Sequence, residues 1–334
     1  MEYSHFLDKN QYLVLLQQKN LVQLGLIEEQ AIIDTSAIPN NHTNSGTHSK
    51  CPLCASQKIQ SLPKFNGARL ASCNECSFVF SERIPTGIEL DQFYCEEYEV
   101  TSFLSKITIN RYNELLDHFE KYRKTNRILD IGSGHGFFLE TAKKRGWEVY
   151  GSDYAAGCVN VCKEKGIEMH SGTMTPDAYH PEMFDVITSF EVLEHVYNPN
   201  EELGYLNSFL RKGGIMYVTT PNFNSVLRYR LGEQYDVINY PEHLTYFTHK
   251  TLIKAFEAKG FEKLNVRTTG LSLTRYRTSK GRSNQEYVSE TSDDELLRHK
   301  IEKKWHLRAL KSTTNWGLNL FKVGDSLKGV FIKR

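Results

Sequence analysis

Apolar and polar positions follow two periods from residue 125 onward, and together they predict a repeated strand-helix order. Short apolar runs predict strands at 127–131, 147–152, 184–189, 214–220 and 261–268. Apolar residues at helical spacing predict helices between them, at 136–145, 155–165, 200–211 and 249–259. Such alternation implies right-handed crossovers and a parallel sheet. The sequence therefore predicts an α/β fold with a doubly wound, mostly parallel sheet.

The chain before this domain divides into three predicted segments. Residues 1–49 combine apolar positions at helical spacing over 3–33 with a polar linker, 50–84 carry paired cysteines, and 85–124 form a helical connection. The fourth segment, 125–334, is the α/β domain with a charged helical insertion at about 271–324. This insertion either covers the substrate side or forms a solvated helical hairpin.

Four of the seven cysteines have metal-ligand spacing: Cys51-x-x-Cys54, eighteen residues, then Cys73-x-x-Cys76. Each pair can form a tight knuckle, and two knuckles complete a tetrahedral Zn(II) site. The alternative is that these thiols are redox groups or have no common function. A closed four-cysteine site is structural, so the prediction is a zinc ribbon without a catalytic role for zinc.

Net charge and hydropathy argue against nucleic acid as a partner and against a membrane span. Lys+Arg 41 against Asp+Glu 40 leaves a formal net charge of +1, so no global field attracts nucleic acid. No apolar run approaches the roughly 18 residues that span a bilayer, and the first residues lack the pattern of a signal peptide. We therefore predict a cytoplasmic protein with a small-molecule substrate and no membrane span, while its oligomeric state stays unknown.

The most informative stretch is 127–136, an apolar run that meets Asp130 and then three alternate glycines. Glycine lets bare backbone approach a ligand and tolerates positive φ. The dinucleotide fingerprint would need its third glycine at position 137, which is Phe137, and Asp130 would repel a pyrophosphate. The turn therefore suits a cationic ligand, and Asp153 at the end of the next strand suits ribose hydroxyls.

These residues resemble a known family. Residues 128–136 look like the first motif of class I S-adenosylmethionine-dependent methyltransferases, and 149–153 look like the second. Residues 184–195 resemble the fourth strand of that family, and 210–222 resemble its glycine turn and fifth strand. The final segment, 325–334, resembles the antiparallel strand that closes the sheet. The resemblance implies a seven-stranded Rossmann-like methyltransferase sheet that uses S-adenosylmethionine as cofactor.

The resemblance also implies roles for single residues. Backbone of the glycine turn would meet the methionine part of the cofactor, Asp130 would hold its ammonium, Asp153 its ribose and Tyr154 its adenine. The family has a Gly-Asp pair near residue 172, and this chain has no acid there. The complete set predicted to bind the cofactor is Asp130, Gly132, Ser133, Gly134, Gly136, Asp153, Tyr154, Thr173, Met174, Phe190 and Glu191.

Two histidines are the predicted catalytic residues. His195 follows the fourth strand at the mouth of the cofactor site, where a base near neutral pKa could activate a hydroxyl. His243 stands in a Pro-x-His-x-x-Tyr-Phe loop that borders the substrate in many small-molecule members. Tyr94 and Tyr98 resemble a substrate-binding segment of the same subgroup. Packing or helix capping is the alternative role for all four side chains.

The ribbon beside this domain resembles methyltransferases of sugar, surface-polysaccharide and secondary-metabolite pathways. Sugar C-methyltransferases carry a further C-terminal domain that 271–334 are too short to form. We therefore favour a hydroxyl, over a carbon, of a sugar, nucleotide sugar, lipid or secondary metabolite as acceptor. The alternatives are an RNA methyltransferase that binds substrate through the ribbon, and a non-catalytic interaction protein. RNA enzymes show a motif such as Asn-Pro-Pro-Tyr where this chain has Ser189–Val192.

Overall fold

The computed structural model describes residues 46–63, 65, 67–96, 104–272, 275–277, 280 and 293–334, which all belong to one unit, Asn44–Arg334. The helix predicted at 3–33, the linker up to residue 45 and Tyr98 lie outside these residues. Over the described ranges, no helix combines the length and the apolar character needed to cross a membrane.

Short strands dominate the first part of the described chain, and strands alternate with helices in the rest. The first part contains β1 (Gly46–Thr47), β2 (Ile59–Ser61), β3 (Leu70–Cys73), β4 (Val79–Ser81), β5 (Arg83–Ile84), α1 (Gly87–Glu96) and α2 (Lys106–Phe119). The rest contains β6 (Arg127–Ile131), α3 (Phe137–Lys144), β7 (Glu148–Asp153), α4 (Ala156–Glu164), β8 (Glu168–Ser171), β9 (Phe184–Phe190), α5 (Pro199–Phe209), β10 (Leu210–Pro221), α6 (Val226–Leu231), β11 (Thr245–Tyr246), α7 (His249–Glu257), β12 (Phe261–Thr269), α8 (Asp293–Lys303), α9 (Trp305–Phe321) and β13 (Ser326–Lys333).

Seven strands form the main sheet in the order β8-β7-β6-β9-β10-β13-β12. The strands from β8 to β10 run parallel, whereas β13 is antiparallel to both of its neighbours. Strands β6 and β9 are central and almost wholly buried, as expected for parallel strands covered on both faces. The predicted mostly parallel methyltransferase sheet is confirmed, including the closing antiparallel strand.

Two details of the sheet differ from the expected pattern. Strand β8 was not predicted from the sequence, because Glu-Met-His-Ser contains no apolar run. In the structure none of its four residues is fully buried. Strand β10 begins at Leu210, where the helical pattern continued to residue 211. Leu210 already pairs with Phe184, and an irregularity follows up to Ile215, so the glycine turn is absorbed into the strand.

A second sheet joins the cysteine-containing segment to the main domain. Its strand order is β11-β4-β3-β2, so one strand, Thr245–Tyr246, comes from the loop before α7. Phe78 packs against Phe247 with ring centroids 4.9 Å apart, and both belong to the hydrophobic core cluster that extends to Phe331. The ribbon therefore shares a sheet and a core with the main domain.

Candidate active site

The glycine turn lies between β6 and α3, at the carboxyl edge of the main sheet. Gly132, Gly134 and Gly136 all have positive φ, at 63°, 52° and 71°. A Cβ on Gly132 would lie 2.4 Å from Val192 Cγ2, and one on Gly136 would lie 2.8 Å from Cys162 Sγ. Glycine is thus required at these two positions both by backbone conformation and by close packing.

Two buried acids flank this turn. Asp130 is 2% exposed and accepts a hydrogen bond of 2.7 Å from Thr188 Oγ1. Burial, together with the nearby Asp153, raises the pKa of Asp130 to about 8. Asp153 accepts bonds from the Gly134 and Ala155 amides at 2.8 and 2.9 Å, and burial raises its pKa as well. A cationic group beside Asp130 would favour the ionised carboxylate and offset the cost of its burial.

An aromatic row connects the second acid with the histidines. Tyr154 follows Asp153 directly, and its ring centroid lies 5.2 Å from that of Tyr94 on α1. The Tyr94 ring lies 6.5 Å from His195, between centroids. Tyr94, Tyr154 and His195, which the sequence placed in three different roles, therefore lie side by side.

The other residues predicted to bind the cofactor have varied surroundings. Ser133 donates its amide to Ser152 O at 2.9 Å, which joins the glycine turn to β7. Thr173 is exposed, whereas Met174 is 8% exposed and lies in the hydrophobic core. Phe190 packs 5.1 Å from Phe138, and Glu191 has a φ of 54° with its amide bonded to Thr219 O. Such a backbone conformation is uncommon for a non-glycine residue and typical of functional sites.

His195 and His243 form a pair, with ring centroids 4.8 Å apart. His195 Nδ1 lies 2.8 Å from Glu242 O, and His243 Nδ1 lies 2.6 Å from Val237 O. Because a carbonyl can only accept, both Nδ1 atoms carry the hydrogen and both Nε2 atoms keep a lone pair. Burial and the neighbouring His243 lower the pKa of His195 to about 4, and burial also lowers the pKa of His243. Both rings are neutral at pH 7.

A third buried acid lies beside the histidine pair. Glu194 is 3% exposed and accepts a hydrogen bond of 2.8 Å from Thr220 Oγ1. Burial and the charge of Glu191 raise its pKa well above the usual value. The ligand atoms of Glu194, His195 and His243 all lie within 4.8 Å of one another. This donor set is able to hold a proton or a divalent cation.

Sequence reasoning missed three residues of the site. Thr188 is the register partner of Asp130 on β9, and Glu194 was passed over beside His195. Tyr112 on α2 packs against Phe138, and burial followed by the charge of Asp130 raises its pKa to about 12. Strand pairing could have revealed Thr188 once the sheet order was known, but no motif indicates Tyr112.

The four cysteines of the predicted zinc site, Cys51, Cys54, Cys73 and Cys76, meet at one point. Their sulfur atoms lie within 4.8 Å of one another, with Cys51 and Cys76 at 3.6 Å and Cys54 and Cys73 at 3.5 Å. Four sulfurs around one zinc, each at about 2.3 Å, are about 3.8 Å apart. Hydrogen bonding to Cys51 and then burial raise the pKa of the Cys76 thiol. We call this group the cysteine centre.

The two knuckles of the cysteine centre have the same backbone geometry. Ala55 and Ser77, each directly after the second cysteine of its pair, have positive φ of 60° and 64°. The amide of Ala55 donates to Cys51 O and that of Ser77 to Cys73 O, both at 2.9 Å. Left-handed backbone at a non-glycine residue costs about 1–3 kcal/mol. The same strained turn occurs twice, as expected where two knuckles must aim thiolates at one ion.

The comparisons with known proteins agree with the geometry. Residues 104–266 match the family model described as Methyltransferase domain. A ubiquinone biosynthesis O-methyltransferase of Aeromonas salmonicida (strain A449) is 32% identical over 147 residues, which are 40% of this chain and 62% of the relative. The enzyme of the same name from Ruegeria pomeroyi is 36% identical over 104 residues, or 29% of this chain and 42% of the relative.

The matched part of the chain thus spans between 42% and 62% of the length of these two relatives. A solved structure of a SAM dependent methyltransferase from Archaeoglobus fulgidus aligns with 73% of this chain and 98% of its own, at 17% identity and a TM-score of 0.47. The chain contains a methyltransferase domain over residues 104–266. This segment is similar to the O-methyltransferases of ubiquinone biosynthesis.

Proposed function

We propose that the protein transfers the methyl group of S-adenosylmethionine to a hydroxyl group of a small molecule. The candidate acceptors are a sugar, a nucleotide sugar, a lipid or a secondary metabolite. The observation that carries the proposal is the position of the neutral His195. Its ring lies 6.5 Å from that of Tyr94, which in turn lies 5.2 Å from the ring of the predicted cofactor residue Tyr154. The relatives named O-methyltransferases support a hydroxyl over a carbon.

The cofactor would lie over the carboxyl ends of β6 and β7. Asp130 would bind its ammonium group, Asp153 its ribose hydroxyls, and Tyr154 would cover the adenine. Asp130 fits this role because it is a buried acid with a raised pKa, and a bound cation would favour its ionised form. When bound, S-adenosylmethionine supplies an activated methyl group. The protein's main task is then to align the acceptor oxygen with that group.

His195 would act as general base. Its Nδ1 hydrogen is held by Glu242 O, which fixes the ring, and Nε2 would take the proton of the acceptor hydroxyl. His243 lies beside it and would orient the same hydroxyl or share the proton. A pKa of about 4 keeps the His195 ring neutral before the acceptor arrives, but it is lower than the near-neutral pKa expected of this base from the sequence.

We propose a structural Zn(II) in the cysteine centre. By holding the ribbon in place, it would help to position the histidine pair. Strand β4 of the ribbon pairs with β11, and Ser81 donates its amide to Leu244 O at 2.7 Å. Leu244 in turn donates to Glu194 O, and Thr245 Oγ1 donates to Leu193 O, both at 2.7 Å. The metal would therefore act on the histidine pair through one shared strand.

The experiment is a pair of measurements on the full chain. Calorimetry determines S-adenosylmethionine binding, and a radiolabelled methyl-transfer screen covers hydroxylated sugars, nucleotide sugars, lipids and RNA. The proposal expects binding of the cofactor and transfer to a small hydroxylated acceptor, with the label released by reagents that cleave methyl ethers. Absence of cofactor binding, or transfer to RNA alone, would overturn it.

A further inference from the structure

Four cationic side chains from four elements lie close enough near the active site for their charges to act on Lys328 and Lys311. They are Arg111 on α2, Arg267 on β12, Lys311 on α9 and Lys328 on β13, and we call them the cation cluster. Lys328 is the register partner of Arg267 on one side and of Thr219 on the other. Thr219 pairs with Phe190, so this row ends at the carboxyl end of β9, beside Glu191.

The helical insertion brings Lys311 to this row. Asn319 Oδ1 accepts the Thr268 amide at 3.0 Å, and Asn315 Oδ1 accepts the Gly270 amide at 2.9 Å. Lys311 precedes Asn315 by four residues, so it lies on the same face of α9, one turn earlier. This face follows the sheet edge next to Arg267.

Helix α8 fixes the other end of the insertion to α2. The Glu295 carboxylate, 1% exposed, accepts a short hydrogen bond from Ser105 Oγ, and Ser105 caps the start of α2. Arg111 lies on the second turn of that helix. The insertion is therefore fixed to α2 at one end and to the edge of the sheet at the other, and it leaves Arg267 and Lys311 exposed to solvent.

Among the described residues, no hydrogen bond or ion pair is made by the side chains of these four cations. Arg211 differs from them, because it pairs with the buried Asp185.

 No carboxylate oxygen of a described residue therefore lies within 4 Å of the charged groups of Arg111, Arg267, Lys311 and Lys328. Burial, followed by the charges of Arg267 and Arg111, lowers the pKa of Lys328, and burial and Arg111 lower that of Lys311. The acids that face them are Glu191, near Lys328, and Glu302, near Lys311. Among the described residues, two carboxylates face four cations, so this part of the protein carries a net positive charge.

We propose that the cation cluster binds a phosphate or diphosphate group of the methyl acceptor, an inference that rests on the proposed function. Strands are spaced about 4.8 Å apart, so β13 lies about 14 Å from β6, three strands away. A phosphate at the cluster would therefore leave room for a sugar-sized group between itself and the glycine turn. The acceptor is then a phosphorylated small molecule whose methylated hydroxyl lies several bonds from the phosphate.

The test uses inorganic pyrophosphate as the probe, with the full chain, in the presence and absence of S-adenosylmethionine. Arg267→Gln and Lys328→Gln should each weaken pyrophosphate binding about tenfold, because each removes a charge-assisted contact. Lys263→Gln, on the same strand as Arg267 but outside the cluster, should stay within about twofold of the wild type. The melting temperatures of the Arg267 and Lys328 variants should not fall, since mutual repulsion is relieved.

Equal pyrophosphate binding by all variants, or none by the wild type, would overturn the proposal. A second arm compares methyl transfer to a nucleoside diphosphate sugar, to the free sugar and to vesicles that contain phosphatidic acid. Preference for either phosphorylated acceptor, lost in Lys328→Gln, supports the cluster and separates a soluble from a lipid phosphate. Pyrophosphate binding without S-adenosylmethionine binding would contradict the proposed function alone.

Discussion

The proposed cofactor side and the proposed acceptor side of this molecule are built in different ways. The cofactor side consists of Asp130, the glycine turn, Asp153 and Tyr154, all within 25 residues of the chain. The acceptor side takes the histidine pair from two loops, a supporting strand from the ribbon and the cation cluster from residues as far apart as 111 and 328. A site made from one strand-turn-strand unit can stay the same while distant segments change the acceptor.

The two sides also differ in how their charges are satisfied. Asp130 and Asp153 are buried acids that accept hydrogen bonds from Thr188 and from backbone amides, yet both have raised pKa values. The cation cluster lacks ion-pair partners among the described residues. The first side suits a cation and the second an anion, so the two ligands would be sorted by charge before any chemistry occurs.

The largest expected effect is on the acceptor side. His195→Asn keeps a side-chain donor for Glu242 O but removes the base, and kcat should fall about 1000-fold at saturating S-adenosylmethionine. Cofactor affinity should stay unchanged. Because the His195 pKa is about 4, the wild-type kcat should be flat from pH 6 to 8 and fall only as pH approaches that value. The control is His118→Asn, because His118 is exposed. An unchanged kcat in His195→Asn would show that His195 has no catalytic role.

The second prediction tests whether the cysteine centre affects the acceptor side without affecting the cofactor side. In Cys51→Ser/Cys76→Ser, metal analysis should find that about one zinc per chain is lost, because two of four thiolates are gone. Release of β4 from β11 would displace the histidine pair, and kcat should fall about 100-fold, as expected for a shift near 1 Å. S-adenosylmethionine affinity should change little. Loss of both functions together would show that the two sides are not independent.

The third prediction concerns the cofactor side. Asp130→Asn keeps the hydrogen bond from Thr188 Oγ1 but removes the charge, so S-adenosylmethionine should bind about 100-fold more weakly. Its folded-state pKa is raised, so ionised Asp130 destabilises the fold increasingly as pH rises from about 4 to 8. The variant should therefore melt at a higher temperature than the wild type at pH 8. A lower melting temperature with unchanged affinity would make Asp130 a structural turn residue.

The contrast between the two sides also explains what the sequence could reveal. Asp130, the three glycines and Asp153 stand in one local pattern, so their common location at the sheet edge was predictable. The closing strand Ser326–Lys333 was predicted from its resemblance to the family. Strand β11 has two residues and forms only because β4, far away in sequence, offers a free edge. Likewise, Arg267 and Lys328 become neighbours only through strand register.

The decisive measurement is calorimetry of S-adenosylmethionine binding at pH 7, repeated in buffers of different ionisation enthalpy. It shows whether Asp130 loses a proton when the cationic cofactor binds. The empty site holds Asp130 with a pKa of about 8, and the bound cation should ionise it. The wild type and the exposed control Asp117→Asn should release about one proton per cofactor bound, whereas Asp130→Asn should release none. Binding with no proton release by the wild type, or with equal release by Asp130→Asn, would contradict it.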